Sequence, residues 1–408
     1  MSGVVNLSRR RFLLAASAAS VLPWKLHAQA KSLHLKITGL KTFVVNQGGV
    51  NWVFCKVATD QGLTGLGEGS VTSKELTLAQ AIMEHERFLL GKDPADIELL
   101  WQTMFRMPRW RGGPILNSAI SAVEIALWDI LGQALGAPIY QLLGGRARDR
   151  VRLYKDVGST PEAFLKAKEE GYTAAKSSFI DVQDNLVQPG KVVREGVRKL
   201  EAVRKAVGED FDIALDPHGR LTTTMAVDFC TRIEDLQPYF VEEPTQLEDL
   251  GELELLRQKT KVPLATGERH FTKYAFTDMC SRHVVNFVQP DVCHAGGILE
   301  LKKIGALAEA YRIEMAPHNP QSLVSTLASI HVDATTPNSV IQEYSPKSDP
   351  FLTDLFKGAK LEISEGFAAL PTRLGLGCDL DEKVAAQRPY KPASREAYKF
   401  KDGSIADQ

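Results

Sequence analysis

Three short apolar runs, each closing on an acid, recur at one interval: FDIALD ends at Asp216, YFVE at Glu242 and PLATGE at Glu268, 26 residues apart each time. A continuous apolar run this short reads as a buried strand that delivers its last side chain to a loop. The interval leaves room for one helix between successive strands. Few folds place three such acids at one end, and a repeating β/α structure is the simplest of them.

The alternation extends in both directions. Candidate strands fall at VRLY (151–154), YTAAK (172–176), FDIALD (211–216), YFVEE (239–243), PLATGE (263–268), VVNFVQPD (284–291), IEMAPH (313–318) and SVIQE (339–343). Amphipathic segments such as VREGVRKLEAVRKAV and LELKKIGALAEAYR separate most of them. This pattern predicts a parallel sheet closed as a β/α barrel, with its chemistry at the C-terminal strand ends.

Upstream, residues 32–70 alternate apolar and polar around a turn at Asp60-Gln61-Gly62, which predicts antiparallel strands. The glycines at 62, 65, 67 and 69 do not form GxGxxG and read as marks of a turn-rich sheet. From 74 to 135 the apolar spacing becomes helical. The expected organisation is an α+β capping domain over 31–145, a barrel over 146–345, and a turn-rich segment over 346–408 that returns to the cap.

Residues 1–30 carry Arg9, Arg10, Arg11 and Lys25 and no acid, then a short apolar stretch and Ala28-Gln29-Ala30. The SRRRFL context resembles a twin-arginine export signal, with cleavage expected after Ala30 and a periplasmic or otherwise exported product. The apolar stretch is shorter than the ~20 residues a membrane span needs, so no membrane contact is expected of the mature chain. A net charge of −1 gives no basic face for nucleic acid. Five cysteines without a CxxC pattern read as buried small apolar side chains rather than metal or disulfide ligands.

The strand-end residues carry the chemistry. Asp216, Glu242 and Glu268 at one barrel mouth would repel, each pair by ~4 kcal/mol at ~4 Å and an effective dielectric of ~20. A divalent cation relieves this, and an all-oxygen donor set selects a hard ion such as Mg²⁺. Asp291 and His318 end neighbouring strands. A carboxylate on one imidazole nitrogen leaves the other as a base. His218, two residues past Asp216, is a candidate general acid on the opposite side. Glu343 closes the last strand and could donate to an oxyanion if protonated.

Taken together, DPHGR, VEEP, TGER, QPDVCHAGGI, APH and IQE resemble the enolase superfamily, in its mandelate racemase subgroup. The His after the first acid is similar to the sugar-acid dehydratases of the galactonate dehydratase type. RWRGGP, SAVEIALWDILGQALGAPIYQLLGG and LGLGCDLDE match as well. The resemblance implies a modified (β/α)₇β TIM-like barrel under the cap, and a homo-oligomer. It implies Mg²⁺ ligation by Asp216, Glu242 and Glu268, with Glu242 the member of the Glu pair that faces the ion. His318 with Asp291 matches the base dyad, His218 the acid, and Glu343 the carboxylate that supports the enediolate, with Lys176 beside it. Many relatives carry Lys-x-Lys at the end of strand two. Here the stretch is Lys176-Ser177-Ser178, so Ser178 stands where the second base would be.

The implied reaction is loss of water from an aldonic sugar acid, giving a 2-keto-3-deoxy acid. An epimerase or cycloisomerase on the same site is the alternative within enzymes. An exported sugar-acid binder without turnover is the alternative outside them. Segments 46–52 and 109–111 are expected to be the cap loops that read the substrate.

Overall fold

The computed structural model describes residues 33–182, 185–345, 349–358, 361–393 and 396–407. The export signal expected over 1–30 lies outside the described residues.

The alternating N-terminal segment forms an antiparallel sheet of β1 (Ile37–Asn46), β2 (Asn51–Thr59) and β3 (Thr64–Glu68). Gly62, at φ +81°, does turn the chain, but the glycines of β3 do something else. A Cβ at Gly65 would sit 2.0 Å from the carbonyl oxygen of Ala126, and one at Gly67 would sit 1.9 Å from that of Ala122. Both carbonyls belong to the helix Gly113–Leu135. The glycines therefore let β3 lie directly on a helix backbone, a contact that any side chain would break. That helix is apolar on nearly every face and buried as the centre of the cap.

Eight parallel strands follow: β4 (Arg150–Asp156), β5 (Ala174–Ser177), β6 (Asp212–Leu215), β7 (Phe240–Glu242), β8 (Leu264–Thr266), β9 (Phe287–Val288), β10 (Glu314–Met315) and β11 (Gln342–Tyr344). They pair in sequence from β4 to β10. Closure comes from β11, which pairs with β4 through Gln342↔Leu153, while its approach pairs with β10 through Met315↔Ser339. Among the described residues seven α-helices, with one 3₁₀ turn (Glu234–Leu236) beside the third, separate the eight strands, the (β/α)₇β arrangement. One inward residue per strand fills the lumen: Tyr154, Ala174, Ala214, Phe240, Ala265, Phe287, Ala316 and Ile341. Large rings and alanines share the layer, so the interior is packed and the polar strand ends are pushed to one mouth.

Two buried cap acids lock onto barrel helices. Glu124 accepts the amide N–H groups of Ile298 (2.7 Å) and Leu299 (2.9 Å), at the start of helix Ile298–Ala310. Glu68 accepts from Ser322 and from the amide of Ser325 (3.2 Å), at the start of helix Leu323–Asp333. Helix N-termini offer unpaired N–H groups and a positive dipole end, which is why acids sit there.

The segment after 346 does not return to the cap alone. Its strands β12 (Phe356–Lys357) and β14 (Asp379–Leu380) pair with each other, and Lys56 of the cap donates to Leu380 O (3.0 Å). Between them β13 (Phe367–Ala369) pairs antiparallel with β4 of the barrel, and Lys399 bridges to Leu186. The five cysteines are all buried and unpaired, as expected of small apolar side chains.

Candidate functional site

The C-terminal strand ends open into a cavity of about 730 Å³. Asp216, Glu268, His218, His318, Glu343 and Lys176 line it, and Glu242 lies fully buried beneath. Gly267 makes one of these placements possible. Its φ is +150°, and a Cβ there would meet Gln289 N at 2.7 Å, so only glycine lets the chain after β8 pass β9 and present Glu268.

Lys176 organises the acids. Its Nζ lies 2.9 Å from Glu242 Oε2, 3.0 Å from Glu343 Oε1 and 3.4 Å from Asp216 Oδ2. One ammonium cannot balance three carboxylates. Burial pushes Asp216 and Glu343 up, but Lys176, the nearby histidines and backbone N–H groups together outweigh it, and both end below the usual carboxylate range. Glu242 goes the other way, raised well above its ordinary value by burial and by the charges of Asp216, Glu343 and Glu268. Glu343 also accepts the amide N–H of Asn319 (2.8 Å), which with Lys176 fixes its carboxylate at the cavity wall.

His318 and Asp291 meet: Nδ1 to Oδ2 is 2.7 Å. The other nitrogen, Nε2, points into the cavity and lies 3.2 Å from Glu268 Oε2. Burial lowers the imidazole's proton affinity, yet Glu268, Glu343 and Asp291 together raise it well above normal. His218 folds back on its own strand end, with Nε2 3.2 Å from Asp216 Oδ2 and about half of its side chain exposed. Its φ of +56° and that of Gly219 at +66° make the tight turn that swings the ring to the mouth.

The acids fit a hard divalent cation. Glu242, Glu268 and His318 bring ligand atoms within 4.8 Å of one another. Asp216 lies instead against Lys176 and His218. Glu268 Oε2 is buried and, apart from His318 Nε2 at 3.2 Å, has no donor near it among the described residues. Buried carboxylates with spare lone pairs and mutual repulsion are what such an ion satisfies.

Several groups at the site went unread in the sequence. Gln289 donates to Glu242 Oε2 (2.7 Å), and Gln321 donates to Asp291 Oδ2 (2.9 Å). His294 lines the cavity, bonded through Nδ1 to Ser118 of the cap at 2.8 Å and through Nε2 to Gln321 at 3.1 Å. Its place three residues past Asp291 was the available signal. The cap contributes Gln47, Val50, Asn51 and Trp52, within the expected loop. The other expected loop is elsewhere: Arg111 lies over the Phe105 ring at 5.4 Å, and Trp110 is 82% exposed. Gly112 and Gly113, at φ +88° and +80°, turn the chain there, so that only Pro114 reaches the cavity.

Comparisons with known proteins agree with this architecture. Residues 29–144 match the family described as mandelate racemase / muconate lactonizing enzyme, N-terminal domain, and residues 161–384 match the enolase C-terminal domain-like family. The chain is 37% identical over 386 residues to a D-galactonate dehydratase of Xanthomonas oryzae pv. oryzae (strain PXO99A), spanning 91% of this chain and 100% of the relative. It is 38% identical over 385 residues to one of Variovorax paradoxus (strain S110), with the same coverage. An enolase from Pantoea ananatis, solved with bound D-gluconate and Mg, superposes with a TM-score of 0.85 at 29% identity, covering 91% of this chain and 99% of that one. A member of the enolase superfamily from Salmonella Typhimurium superposes at 0.83 with 30% identity, covering 87% and 98%.

Proposed function

The chain belongs to the enolase superfamily, in its mandelate racemase / muconate lactonizing branch, and from that premise we propose that it dehydrates an aldonic sugar acid. It is a hydro-lyase that uses Mg²⁺. The observation that carries the reading is the His318 Nδ1–Asp291 contact of 2.7 Å, with Nε2 left facing the cavity and His218 at the same mouth.

Asp216, Glu242 and Glu268 would hold the Mg²⁺, which supplies Lewis acidity toward the substrate carboxylate. His318 Nε2 takes the C2 proton: a Mg²⁺ held by Glu268 would offset the carboxylate charge that keeps the ring protonated, and Asp291 on Nδ1 leaves Nε2 as the nitrogen that faces the substrate. The developing negative charge meets Lys176 Nζ, already fixed among carboxylates. Glu343 holds Lys176 and takes no proton part. His218 Nε2 delivers a proton to the departing 3-hydroxyl, and the enol relaxes to a 2-keto-3-deoxy acid.

Ser178 favours elimination over two-base epimerisation. Its hydroxyl is engaged by Ile180 O (3.3 Å) and by Arg220 Nη1 (3.2 Å), so no base stands at that position. Turnover of D-galactonate and D-gluconate with Mg²⁺ in D₂O tests this. A keto acid supports dehydration, and a deuterated C2 epimer without keto acid rejects it.

Residues 9–30 support export by the twin-arginine route, so the enzyme works outside the cytoplasm. An exported product whose N-terminus is Lys31 is the expected finding, and an intact Met1 on exported protein would refute it. A homo-oligomer is the expected assembly, to be read by light scattering. A non-catalytic sugar-acid binder is the competing reading, and any measurable turnover removes it.

A further inference from the structure

A second cavity, of about 760 Å³, opens beside the first and shares Thr72, His218, Glu268 and Arg269 with it. It runs on past His218 to Asn185, Arg220, Glu396 and Tyr398. Either cavity alone falls in the ~300–1,000 Å³ range that houses a drug-sized ligand. A free open-chain aldonate needs one of them.

The far wall of the second cavity is built, not left over. Lys399 donates its amide to Asn185 O (2.8 Å), Val187 donates to Lys399 O (2.8 Å), and Ala406 donates to Tyr398 O (2.9 Å). These bonds pin the C-terminal segment along the loop after β5, and Tyr398 is set beside the mouth. The Arg220 guanidinium lies 5.6 Å from the Tyr398 ring centre. Its Nε is buried with no hydrogen-bond partner among the described residues. Asn185 donates to Glu396 Oε2 at 2.9 Å, and Arg269 pairs with Glu243 at 2.7 Å. Carboxylates, an amide and guanidinium groups around an aromatic ring supply both donors and acceptors for hydroxyl groups, with an apolar face for ring C–H. That is the chemistry of a carbohydrate subsite: two guanidinium groups set against three carboxylates, so that neither sign dominates the lining.

His218, which the proposed reaction sets at the 3-hydroxyl, lines both cavities, so the second one lies open to a substituent farther along the substrate. We propose that the groove holds a glycosyl substituent on the aldonate, making glycosylated aldonic acids (aldobionates) the preferred substrate class. This rests on the dehydratase reading. The C2–H bond and the C3–O bond break, one water leaves, and the glycosidic bond stays intact. The product is a glycosylated 2-keto-3-deoxy acid.

The test compares lactobionate and maltobionate with D-galactonate and D-gluconate on the Mg²⁺-loaded full chain, following keto-acid formation. At least tenfold higher kcat/KM is expected for the glycosylated acids. Tyr398→Ala should bring the ratio of the two classes down about tenfold, with Tyr398→Phe keeping it. Calorimetric binding of lactobionate to the wild-type protein, tighter than that of gluconate, gives a readout independent of variant folding. Free aldonates turned over as well as or better than aldobionates would overturn the proposal and leave the dehydratase standing. An unchanged ratio in Tyr398→Ala would also overturn it. Turnover of neither class would remove the dehydratase reading, and this one with it.

Discussion

The carboxylate of Glu124, on the central cap helix, accepts the amide N–H of Ile298, the first residue of a barrel helix, at 2.7 Å. Trp128 Nε1 donates to the same side chain at 2.7 Å, so the group is fully engaged and sealed from water. Glu124→Ala should therefore cost about 2–3 kcal/mol, because two buried N–H groups lose their acceptor. Urea unfolding measures it, and a loss under 0.5 kcal/mol would show that the contact does not hold cap to barrel.

The two histidines separate the two proton transfers. His318→Asn should abolish both C2 hydrogen–deuterium exchange and dehydration, by roughly 10²–10⁴-fold, the contribution typical of a positioned base. His218→Asn should keep the exchange and lose dehydration by a similar factor. Proton NMR in D₂O reads both steps on one sample. Normal dehydration by both variants would sink the assignment.

Removing Mg²⁺ with a chelator should abolish turnover and lower the melting temperature, because an ion bound to the folded state alone stabilises it. At a concentration 100 times its Kd the ion adds ~2.7 kcal/mol. Glu242→Gln should erase the Mg²⁺-dependent shift in melting temperature while leaving a folded protein. A variant that still shifts like wild type would take Glu242 out of the metal site.

Acid should weaken the fold through His331. Burial drives this imidazole down to about 4. It accepts from the amide of Tyr140 at Nδ1 (3.2 Å), and Nε2 lies 3.3 Å from Leu376 O, an arrangement suited to the neutral ring. Below its ordinary value near 6.5 the unfolded chain takes a proton that the folded chain refuses. Stability from this group is therefore complete above pH 6.5 and is lost as pH falls toward 4, on the order of 3 kcal/mol in all. Urea midpoints between pH 7 and 4 should fall more steeply in wild type than in His331→Asn. Parallel slopes would rule the residue out.

Much of the barrel was legible because most strands run into a polar residue at or just past their ends, and the spacing of Asp216, Glu242 and Glu268 repeats the unit. What escaped depended on distances between elements. Glu343 pairs with Lys176, which comes from a different strand, and no spacing in the sequence reveals that pair. An Arg- and Trp-rich loop at 109–111 looks the same whether it borders a cavity or faces solvent. The two-residue strands Phe356–Lys357 and Asp379–Leu380 are too short to show a period. Glu68 and Glu124 were visible as acids inside apolar stretches, a signal that buried helix caps account for.

The bare backbone contact of Gly65 and Gly67 with the helix beneath has an evolutionary corollary. Divergence there is forbidden, since even a methyl group would pry the sheet from its support. Within the cap, change is left to the hairpin tip between β1 and β2, whose Gln47 and Val50 line the cavity, while the slab behind it stays frozen.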